Sequence, residues 1–467
     1  MRKRTCVLAA ALLASGLSPL ALASPAGAAA AKYSDDFNGD GHRDLVLGDR
    51  AATVAGKKEA GAIVVVWGSA KGLDPARRTV VTQNSPGVEG AAETKDFFGT
   101  KVTTADLNKD GYADVVATAP GEEAGSRHGM FTVLWGSRSG LTSGSSYTAP
   151  GGDDGFAKDV AVGDFNADGR LDVVEIGDDY IWYLRGPFTK SGSRGAATNL
   201  DPVDGEDISP ELVVSGKVTK DGTADFAVIG WDSDTGTDRV WFYRGGPTGP
   251  VGPPEKVGLP TTGDLTDASA VIADFDKNGF GDLAVGQARF GKGGAVHVLK
   301  GTSTGFGTTA KSLSQATAGV PGTRESSDSF GVDVSAGDTN GDDYPDLAVG
   351  IAGEVIGDNL FRSGAVTVLR GGSSGLTGMN ARQYDYATAG VAGDPAEDND
   401  SWFGASVLLR DYDHDGRTEL VTAATEKGRL HLLPGTPSGP TGTGSWMRTA
   451  EDLGLGARAA FWARLAD

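Results

Sequence analysis

Residues 106–115 read DLNKDGYADV, in which Asp and Asn alternate before a Gly and a closing Asp, and an apolar run follows. The general form is D-x-[DN]-x-[DN]-G-x-x-[DE]-[LV]. Three further segments match it fully: DFNGDGHRDL at 36–45, DFNADGRLDV at 164–173 and DFDKNGFGDL at 274–283. Two match with small departures, DTNGDDYPDL at 338–347 and DYDHDGRTEL at 411–420, and KVTKDGTADF at 217–226 is a decayed copy. The chain is therefore built from seven repeats of one unit.

The spacing of these loops indicates the size of the unit. Their starts are 70, 58, 53, 57, 64 and 73 residues apart, which suits a four-stranded blade with connections of variable length. A short apolar run follows each loop, a second apolar run ends in Gly, and a strand opening with Phe-Gly precedes several loops, at Phe98, Phe330 and Phe403. Polar segments such as residues 78–82 can form outer edge strands. The sequence predicts an all-β fold, a seven-bladed β-propeller of four-stranded blades.

The two ends of the chain complement each other. The first loop begins at Asp36, so its blade lacks the Phe-Gly strand that precedes other loops, whereas Phe461-Trp462 resembles such a strand with no loop after it. We therefore predict that the N- and C-terminal segments pair in one blade, with the C-terminus beside the strand that follows Asp44. Closure would remove two exposed sheet edges.

The chemistry of the repeated loop suits Ca²⁺, a hard ion that takes six to eight oxygen ligands. Positions 1, 3 and 5 place Asp or Asn oxygens inside one tight turn, and Gly at position 6 permits the bend. The residues at position 7 are too different to share a side-chain role, so we expect a backbone contact, and the acid at position 9 closes the site. The sequence predicts about six Ca²⁺ ions, with these ligand residues: Asp36, Asn38, Asp40, His42, Asp44, Asp106, Asn108, Asp110, Tyr112, Asp114, Asp164, Asn166, Asp168, Arg170, Asp172, Asp274, Asp276, Asn278, Phe280, Asp282, Asp338, Asn340, Asp342, Tyr344, Asp346, Asp411, Asp413, Asp415, Arg417 and Glu419.

Turns rich in Asp, Asn and Gly also form without metal, through hydrogen bonds from the backbone to their side chains. Six copies that each gather at least three acids within nine residues would repel strongly if empty, which favours calcium. In the sixth copy Asp343 replaces Gly, and since Asp tolerates a left-handed backbone, that site is expected to survive. Glu419 keeps the closing charge of the seventh. Lys217 and Thr219 replace ligands in the fourth, which is expected to be empty, with the Lys217 ammonium near the ion position.

Residues 1–30 have the features of a secretory signal peptide. Arg2, Lys3 and Arg4 precede an apolar run, and small residues follow that fit a cleavage site. The single cysteine, Cys6, lies in this segment, so an exported chain would have no disulfide and a metal clamp becomes more plausible. We expect a secreted protein whose propeller spans residues 31–467. The net charge of −20 argues against nucleic-acid binding, and no later stretch could span a bilayer.

Signals for catalysis are weak. Residues 301–305 (GTSTG) and 371–375 (GGSSG) match the G-x-S-x-G elbow of hydrolases, yet they share a repeat position with 68–72 (GSAKG) and 435–439 (GTPSG), which favours a turn. The five histidines show no metal-ligand spacing, and His42 and His414 are expected to be exposed.

Other polar and aromatic residues also favour structural roles. The acids outside the loops are expected to be solvated, although a catalytic pair that comes together only in space remains open: Glu122, Glu123, Glu354, Glu397 and Asp398. The tryptophans that end the second apolar runs are expected to pack in the core: Trp67, Trp135, Trp182 and Trp241.

The recurring loop and the Phe-Gly strands resemble the FG-GAP repeat family, the propeller repeats of integrin α-subunit heads and of many bacterial exported proteins. The resemblance covers essentially all of residues 31–467. It implies a seven-bladed propeller, calcium in the blade loops, and adhesion or ligand recognition through the surface.

Two functional classes follow. The favoured one is an extracellular recognition or adhesion module, expected to be a monomer, that binds a protein or polysaccharide through long connections such as residues 84–95, 119–128 and 394–401. The alternative is a secreted polysaccharide lyase or hydrolase on the same scaffold. Polar residues that break the repeat at one mouth of the central channel would favour the enzyme, and smooth pseudo-symmetry with variable loops would favour the binding module.

Overall fold

The computed structural model describes residues 30–125, 127–200, 208–260, 265, 268–357, 362–393, 400–456 and 463–466. Within these residues, seven antiparallel sheets of four strands form the blades of a ring-shaped propeller. The predicted all-β, seven-bladed fold is confirmed. The predicted signal peptide lies outside the described residues except for Ala30, and it stays a prediction. Among the described residues, no helix is long and apolar enough to cross a membrane.

The strands of each blade follow in order from the innermost to the outermost. Blades 1 to 4 contain β28 (Ala463–Leu465), β1 (Leu45–Asp49), β2 (Ala62–Val66) and β3 (Arg78–Val81); β4 (Val102–Ala105), β5 (Asp114–Ala124), β6 (Arg127–Trp135) and β7 (Ser143–Tyr147); β8 (Asp159–Gly163), β9 (Asp172–Ile176), β10 (Ile181–Leu184) and β11 (Ala197–Asn199); β12 (Ile208–Gly216), β13 (Asp225–Asp232), β14 (Thr237–Arg244) and β15 (Val251–Gly258). Blades 5 to 7 contain β16 (Ser269–Ala273), β17 (Asp282–Gln287), β18 (Ala295–Leu299) and β19 (Lys311–Leu313); β20 (Phe330–Gly337), β21 (Asp346–Ile351), β22 (Ala365–Arg370) and β23 (Thr377–Tyr384); β24 (Phe403–Arg410), β25 (Glu419–Ala424), β26 (Arg429–Leu433) and β27 (Trp446–Thr449).

The middle strands of each blade are buried on both faces, which explains their continuous apolar runs. Every residue of β1 and β2 is buried, whereas the outer strand β3 begins exposed. Neighbouring blades pack face to face: Val46 and Val65 of blade 1 share one core cluster with Val115 and Leu134 of blade 2. Seven such layers supply the hydrophobic driving force of the fold.

The Phe-Gly dipeptides fasten one blade to the next. Phe98 is fully buried, and its backbone pairs with Gly61 at the start of the third strand of the preceding blade. A Cβ on Gly61 would lie 2.0 Å from the Phe98 carbonyl oxygen, so only Gly permits this approach. Phe156-Ala157 holds the same place before β8, with φ of 65° at Ala157, and was missed in the sequence because Ala replaces Gly.

The predicted closure of the ring is confirmed. Strand β28 pairs antiparallel with β1, with Leu465 opposite Leu47 and Arg464 opposite Gly48, and Ala466 donates its N–H to the Val46 carbonyl. The C-terminal strand is thus the innermost strand of the blade that carries the first loop. Phe461 and Trp462, which suggested this strand, lie outside the described residues.

The structure also shows where the four tryptophans and the two G-x-S-x-G segments lie. Trp67, Trp135 and Trp241 are buried in the core, and Trp182 is half-buried with its indole N–H bonded to Asp153. The segments 301–305 and 371–375 connect third to fourth strands with no helix after them, so they are turns rather than nucleophile elbows.

Candidate calcium-binding loops

The seven Asp-rich loops lie on one side of the ring. Each connects the innermost strand of a blade to its second strand, or in blade 1 leads into β1. The connections from third to fourth strands reach the same side, because the strands alternate in direction. We call this side the loop face and the other side the opposite face.

Side chains within each loop accept hydrogen bonds from the loop's own backbone. In the second loop, Asp106 accepts the N–H groups of Asp110 and Gly111, both at 3.1 Å, and Asn108 accepts that of Asp110 at 2.9 Å. Asp110 accepts the N–H of Tyr112 at 3.2 Å. The five other loops with a complete ligand set repeat the pattern, with only small changes of donor. Such bonds also hold Asp-rich turns that contain no metal. However, an ionised carboxylate has about four lone-pair sites, so some of its lone pairs remain available to coordinate an ion.

The acid at position 9 has a structural role that the sequence did not show. Asp114 is fully buried, and its two oxygens accept the N–H groups of Leu107 and Gly136, both at 2.9 Å. Asp225 of the decayed fourth loop makes the equivalent bonds to Val218 and Gly245. Because the copy that lost its ligands at positions 1 and 3 keeps this acid, the closing acid holds the loop against the end of the third strand with or without an ion.

Burial disfavours the negatively charged form of several closing acids. It raises the pKa of Asp44 to about 7, of Asp114 to about 8, of Asp282 to about 6 and of Glu419 to about 7, with neighbouring loop acids adding to the increase. A divalent cation in the loop would supply the missing charge. The donor sets are entirely oxygen, as Ca²⁺ prefers. In the seventh loop, Asp411, Asp413 and Glu419 each present an oxygen within 4.8 Å of the others. The residues present therefore fit the ion.

Basic side chains contact the acids of several loops. Lys190 lies 2.9 Å from Asp110, and Lys300 lies 2.7 Å from Asp276, but both lysines are well exposed and can move away. Arg370 is different, because it is buried and its guanidinium is held by Asp346 at 2.7 Å, Thr339 at 2.6 Å and the Ser438 carbonyl of the next blade at 2.8 Å. The sixth loop therefore contains a fixed cation beside its closing acid. Asp343 adopts the left-handed conformation expected for it, with φ of 67°.

Replacing Arg370 by Gln is expected to strengthen calcium binding at the sixth loop. The substitution removes the positive charge that competes for Asp346, and we expect at least a tenfold gain in affinity for the weakest class of sites, measured by calorimetric titration. The matched control is Arg244→Gln. Arg244 contacts Asp221 of the fourth loop at 2.8 Å, but that loop lacks acids at positions 1 and 3, so no site should appear. Unchanged titration curves for both variants would show that Arg370 does not compete with the ion.

The fourth loop differs from its expected arrangement. Lys217 is exposed, and the cation beside the loop acid Asp221 is Arg244 at the end of β14. That the fourth loop is empty stays a prediction, which calcium-soaked crystals would test.

Side chains at position 7 link neighbouring loops, a role the sequence analysis missed. Tyr112 packs over Gly39 of the preceding loop, and Tyr344 and Phe280 lie beneath the Lys277 and Lys220 ammonium groups. Each partner occupies position 4 of the neighbouring loop. Several position-4 residues have a left-handed backbone: Gly39, Lys109, Ala167, Lys277, Gly341 and His414.

The expectation that His42 and His414 are exposed is wrong. As in the other pairs of neighbouring loops, His42 at position 7 of the first loop contacts His414 at position 4 of the seventh, with ring centroids 5.9 Å apart. His414 also stacks on Tyr33 at 4.8 Å. Both histidines are half-buried. Contact between adjacent loops, which local sequence does not reveal, accounts for the difference.

Two of the acids expected to be solvated are buried on the opposite face. Glu122 accepts a hydrogen bond from Gln83 at 2.6 Å, and Glu354 accepts one from Gln315 at the same distance. Each bond joins the segment just after one blade's outer strand to the C-terminal end of the second strand of the next blade (Glu122) or to the segment just after it (Glu354). Burial raises the pKa of both glutamates to about 7. Glu123 is exposed as expected, and Glu397 and Asp398 lie outside the described residues.

The double variant Glu122→Gln/Glu354→Gln is expected to change how stability depends on pH. The pKa of each glutamate is about 7 in the folded state, against the ordinary value of 4.5. The glutamates therefore stabilise the fold fully below pH 4.5 and lose this contribution as pH rises through 7. Gln stays neutral, so the free energy of unfolding of the variant should match that of the wild type at pH 4 and exceed it at pH 8 by about 2 kcal/mol per site. This value follows from about 1.4 kcal/mol per pKa unit, reduced because both glutamates are partly accessible to solvent. Urea denaturation in the presence of a chelator would measure this. The control Glu123→Gln should follow the wild type at all pH values, and parallel curves for the double variant would contradict the prediction.

Seven four-stranded blades, each with an Asp-rich loop before its second strand, define a class of repeat β-propellers. Comparison with known families agrees: residues 106–175 match an FG-GAP-like repeat and residues 330–369 an FG-GAP repeat. Two segments of the chain thus match FG-GAP-type repeats, and its seven-bladed fold resembles the integrin-like β-propellers.

Curated relatives match over part of their length. Mouse phosphatidylinositol-glycan-specific phospholipase D is 29% identical over 166 residues, which are 34% of this chain and 18% of that protein. The human protein of the same name is 27% identical over 228 residues, 47% of this chain and 26% of that protein. Integrin alpha-5 of Xenopus laevis is 30% identical over 222 residues, 42% of this chain and 20% of that protein. The matches therefore span between about a fifth and a quarter of these relatives.

Proposed function

We propose that this protein is a secreted, calcium-stabilised propeller that recognises an extracellular protein or polysaccharide through its opposite face. The observation that carries the proposal is the contrast between the two faces. On the loop face the segment before the second strand of each blade repeats the same Asp-rich motif, which is decayed only in blade 4. On the opposite face they differ: the connection from second to third strand runs from residue 50 to 61 in blade 1 but only from 177 to 180 in blade 3. Binding residues are often found on variable loops above a rigid scaffold.

The candidate stretches at residues 84–95 and 119–128 both belong to the opposite face, where they meet at the junction of blades 1 and 2. The Gly121 N–H bonds to the Asp96 carbonyl, so the two connections form one surface. The third candidate, residues 394–401, lies largely outside the described residues. The similarity to integrin alpha-5 supports a recognition role, and secretion and adhesion are proposed on the same basis.

The enzyme alternative needs a pair of acids that can act on a bound substrate. The best candidates in the described residues, Glu122 and Glu354, recur at equivalent places in two blades and are held by Gln side chains. A feature that recurs in this way is better explained as a structural link. The phospholipase match covers 18% of the mouse protein, which supports a shared propeller segment rather than a shared activity.

A protein and glycan array, probed with purified protein in calcium and in chelator, would test the proposal. We expect a ligand that binds only in calcium and whose binding falls at least tenfold in Lys95→Glu or Glu123→Lys, both exposed on the opposite face. The matched controls Lys71→Glu and Arg138→Glu are exposed on the loop face and should bind normally. Loss of binding only in the loop-face variants would reverse the assignment of the face, and substrate cleavage on the array would favour the enzyme.

A further inference from the structure

The central channel of the ring has a polar mouth on the opposite face. The innermost strands of all seven blades line a cavity of about 410 Å³, a size in the usual range for small-ligand sites. Its wall is mixed, because charged and hydroxyl side chains lie among the apolar side chains of these strands. One equivalent position in each blade, five residues before the loop in blades 2 to 7, forms a ring at the mouth: Arg464, Lys101, Asp159, Leu212, Ser269 and Asp333, which line the cavity, and the fully buried Ser406. The residue types differ around this mouth ring, so it does not follow the symmetry of the repeat.

The acids of the mouth ring already have their hydrogen-bond partners. Asp333 accepts the hydroxyls of Ser269 and Ser406 at 2.7 and 2.8 Å and the N–H groups of Val334 and Val407 at 3.2 and 2.9 Å. All four bonds come from three adjacent blades. The carboxylate is therefore a structural link with little capacity for a ligand.

Asp159 is satisfied in the same way, by the N–H groups of Val160 at 2.9 Å and Val213 at 3.2 Å. Both acids are nearly buried, with side chains 9% and 12% exposed. Acids that are saturated by neutral donors keep their negative charge and orient the nearby cations.

The two cations of the mouth ring are in the opposite situation. Lys101 lies 3.4 Å from Asp159, and Arg464 lies 3.8 Å from Asp333. Within the part of the chain that the structure describes, neither side chain donates a hydrogen bond. Their side chains are 27% and 31% exposed, and Lys101 directly precedes the innermost strand β4 whereas Arg464 lies in the adjacent innermost strand β28. N–H donors on two neighbouring blades thus remain available at the mouth of the channel.

We propose that this mouth binds an oxyanion group, such as a carboxylate or a sulfate, through Lys101 and Arg464. Guanidinium and ammonium groups bind oxyanions through charge-assisted hydrogen bonds, which strengthen as the effective dielectric constant falls from bulk water to a cavity in the protein. The rest of the protein is acidic, with a net charge of −20, so anions are repelled from its surface in general and an anion that binds here does so specifically. The proposal deepens the recognition function and rests on it only for the biological source of the anion.

Calorimetric titration with sodium sulfate and with sodium glucuronate, at constant ionic strength set by chloride, tests the site. We expect both anions to bind the wild type, and glucose, which lacks the oxyanion, not to bind. Lys101→Gln and Arg464→Gln should each weaken binding at least tenfold, and Arg464→Lys should restore part of it. The matched control is Lys158→Gln: Lys158 is 31% exposed beside Asp159, but it pairs with Glu211 and the Pro210 carbonyl outside the channel.

The outcomes separate this proposal from the wider one. If neither anion binds, or if both bind the Lys101→Gln/Arg464→Gln variant as well as the wild type, the oxyanion site is refuted even where an array ligand exists. If sulfate binds and glucuronate does not, the site is supported and the carboxylate class is excluded. Because Arg464 lies in the closing strand β28, melting curves of each variant identify a loss of fold, and Lys101→Gln, on a different strand, remains decisive.

Discussion

Removal of calcium is expected to lower the melting temperature of this protein by several degrees or more. Extracellular calcium modules bind with Kd of about 10⁻⁴ to 10⁻³ M. At 1 mM free calcium such a site stabilises the folded state by about 0.4–1.4 kcal/mol through mass action, so six sites give about 2–8 kcal/mol. Thermal melting in 1 mM calcium and in excess chelator, with metal analysis of the dialysed protein, measures the effect. An unchanged melting temperature with no bound metal would show that the loops are metal-free turns.

The calcium effect should also grow with pH. Without an ion, the closing acids Asp44, Asp114 and Glu419 have pKa values raised to between about 7 and about 8, so the metal-free fold loses stability as pH rises through this range. The bound ion offsets that loss, and its stabilisation should be larger at pH 8 than at pH 5, with protons released on binding.

A matched pair of loop variants identifies the source of the effect. Asp413→Ala removes one of the three convergent oxygens of the seventh loop, and it should reduce the difference between the calcium and chelator melting temperatures. Asp221→Ala changes the fourth loop, whose acid already pairs with Arg244, and it should leave that difference unchanged. Equal effects of the two substitutions would indicate a general charge effect rather than binding in the loops.

The fold could be predicted because its determinants are local and repeated. A turn that needs acids at fixed spacing and Gly at a bend leaves a legible pattern in the sequence, and seven copies determine the number of blades. The closing strand could be inferred from an unmatched strand at each end of the chain. Phe156-Ala157 was missed only because Ala replaces the Gly of the motif.

The site was less predictable because its contacts join distant residues. Asp44 accepts a bond from Gly68, 24 residues away, and Glu122 from Gln83, 39 residues away. A signal for the second contact exists: residues 83–99 and 315–331 share Gln, Gly-Val, Gly, Glu, Asp and Phe-Gly at equal spacing. Arg370 had no such signal, since the residue that ends or directly follows the third strand varies among Trp, Arg, Lys and Pro from blade to blade.

Deletion of residues 457–467 is expected to open the ring and to lower both the melting temperature and the solubility sharply. The deletion removes β28, whose register places Leu465 opposite Leu47, and leaves the pairing edge of β1 exposed. It also removes the buried Ala466 and the contact of Leu465 with the core between blades 1 and 7. Unpaired strand edges promote association with other chains, so we expect dimers or aggregates in size-exclusion chromatography as well as earlier melting.

A pair of proline substitutions tests closure without a truncation. Leu465→Pro removes an N–H that donates to Ser406 in the neighbouring blade at 3.3 Å, and Ala197→Pro removes an N–H of β11 that the register places on the side away from β10. Both strands have three residues and pair on one side only, but β28 closes the ring from inside, whereas β11 is an outer edge strand where Pro is tolerated. We expect Leu465→Pro to reproduce most of the loss seen on deletion and Ala197→Pro to cause little change. If the deletion and both variants melt like the wild type, β28 contributes nothing to stability, and the ring is held closed by the packing of blades 1 and 7 alone.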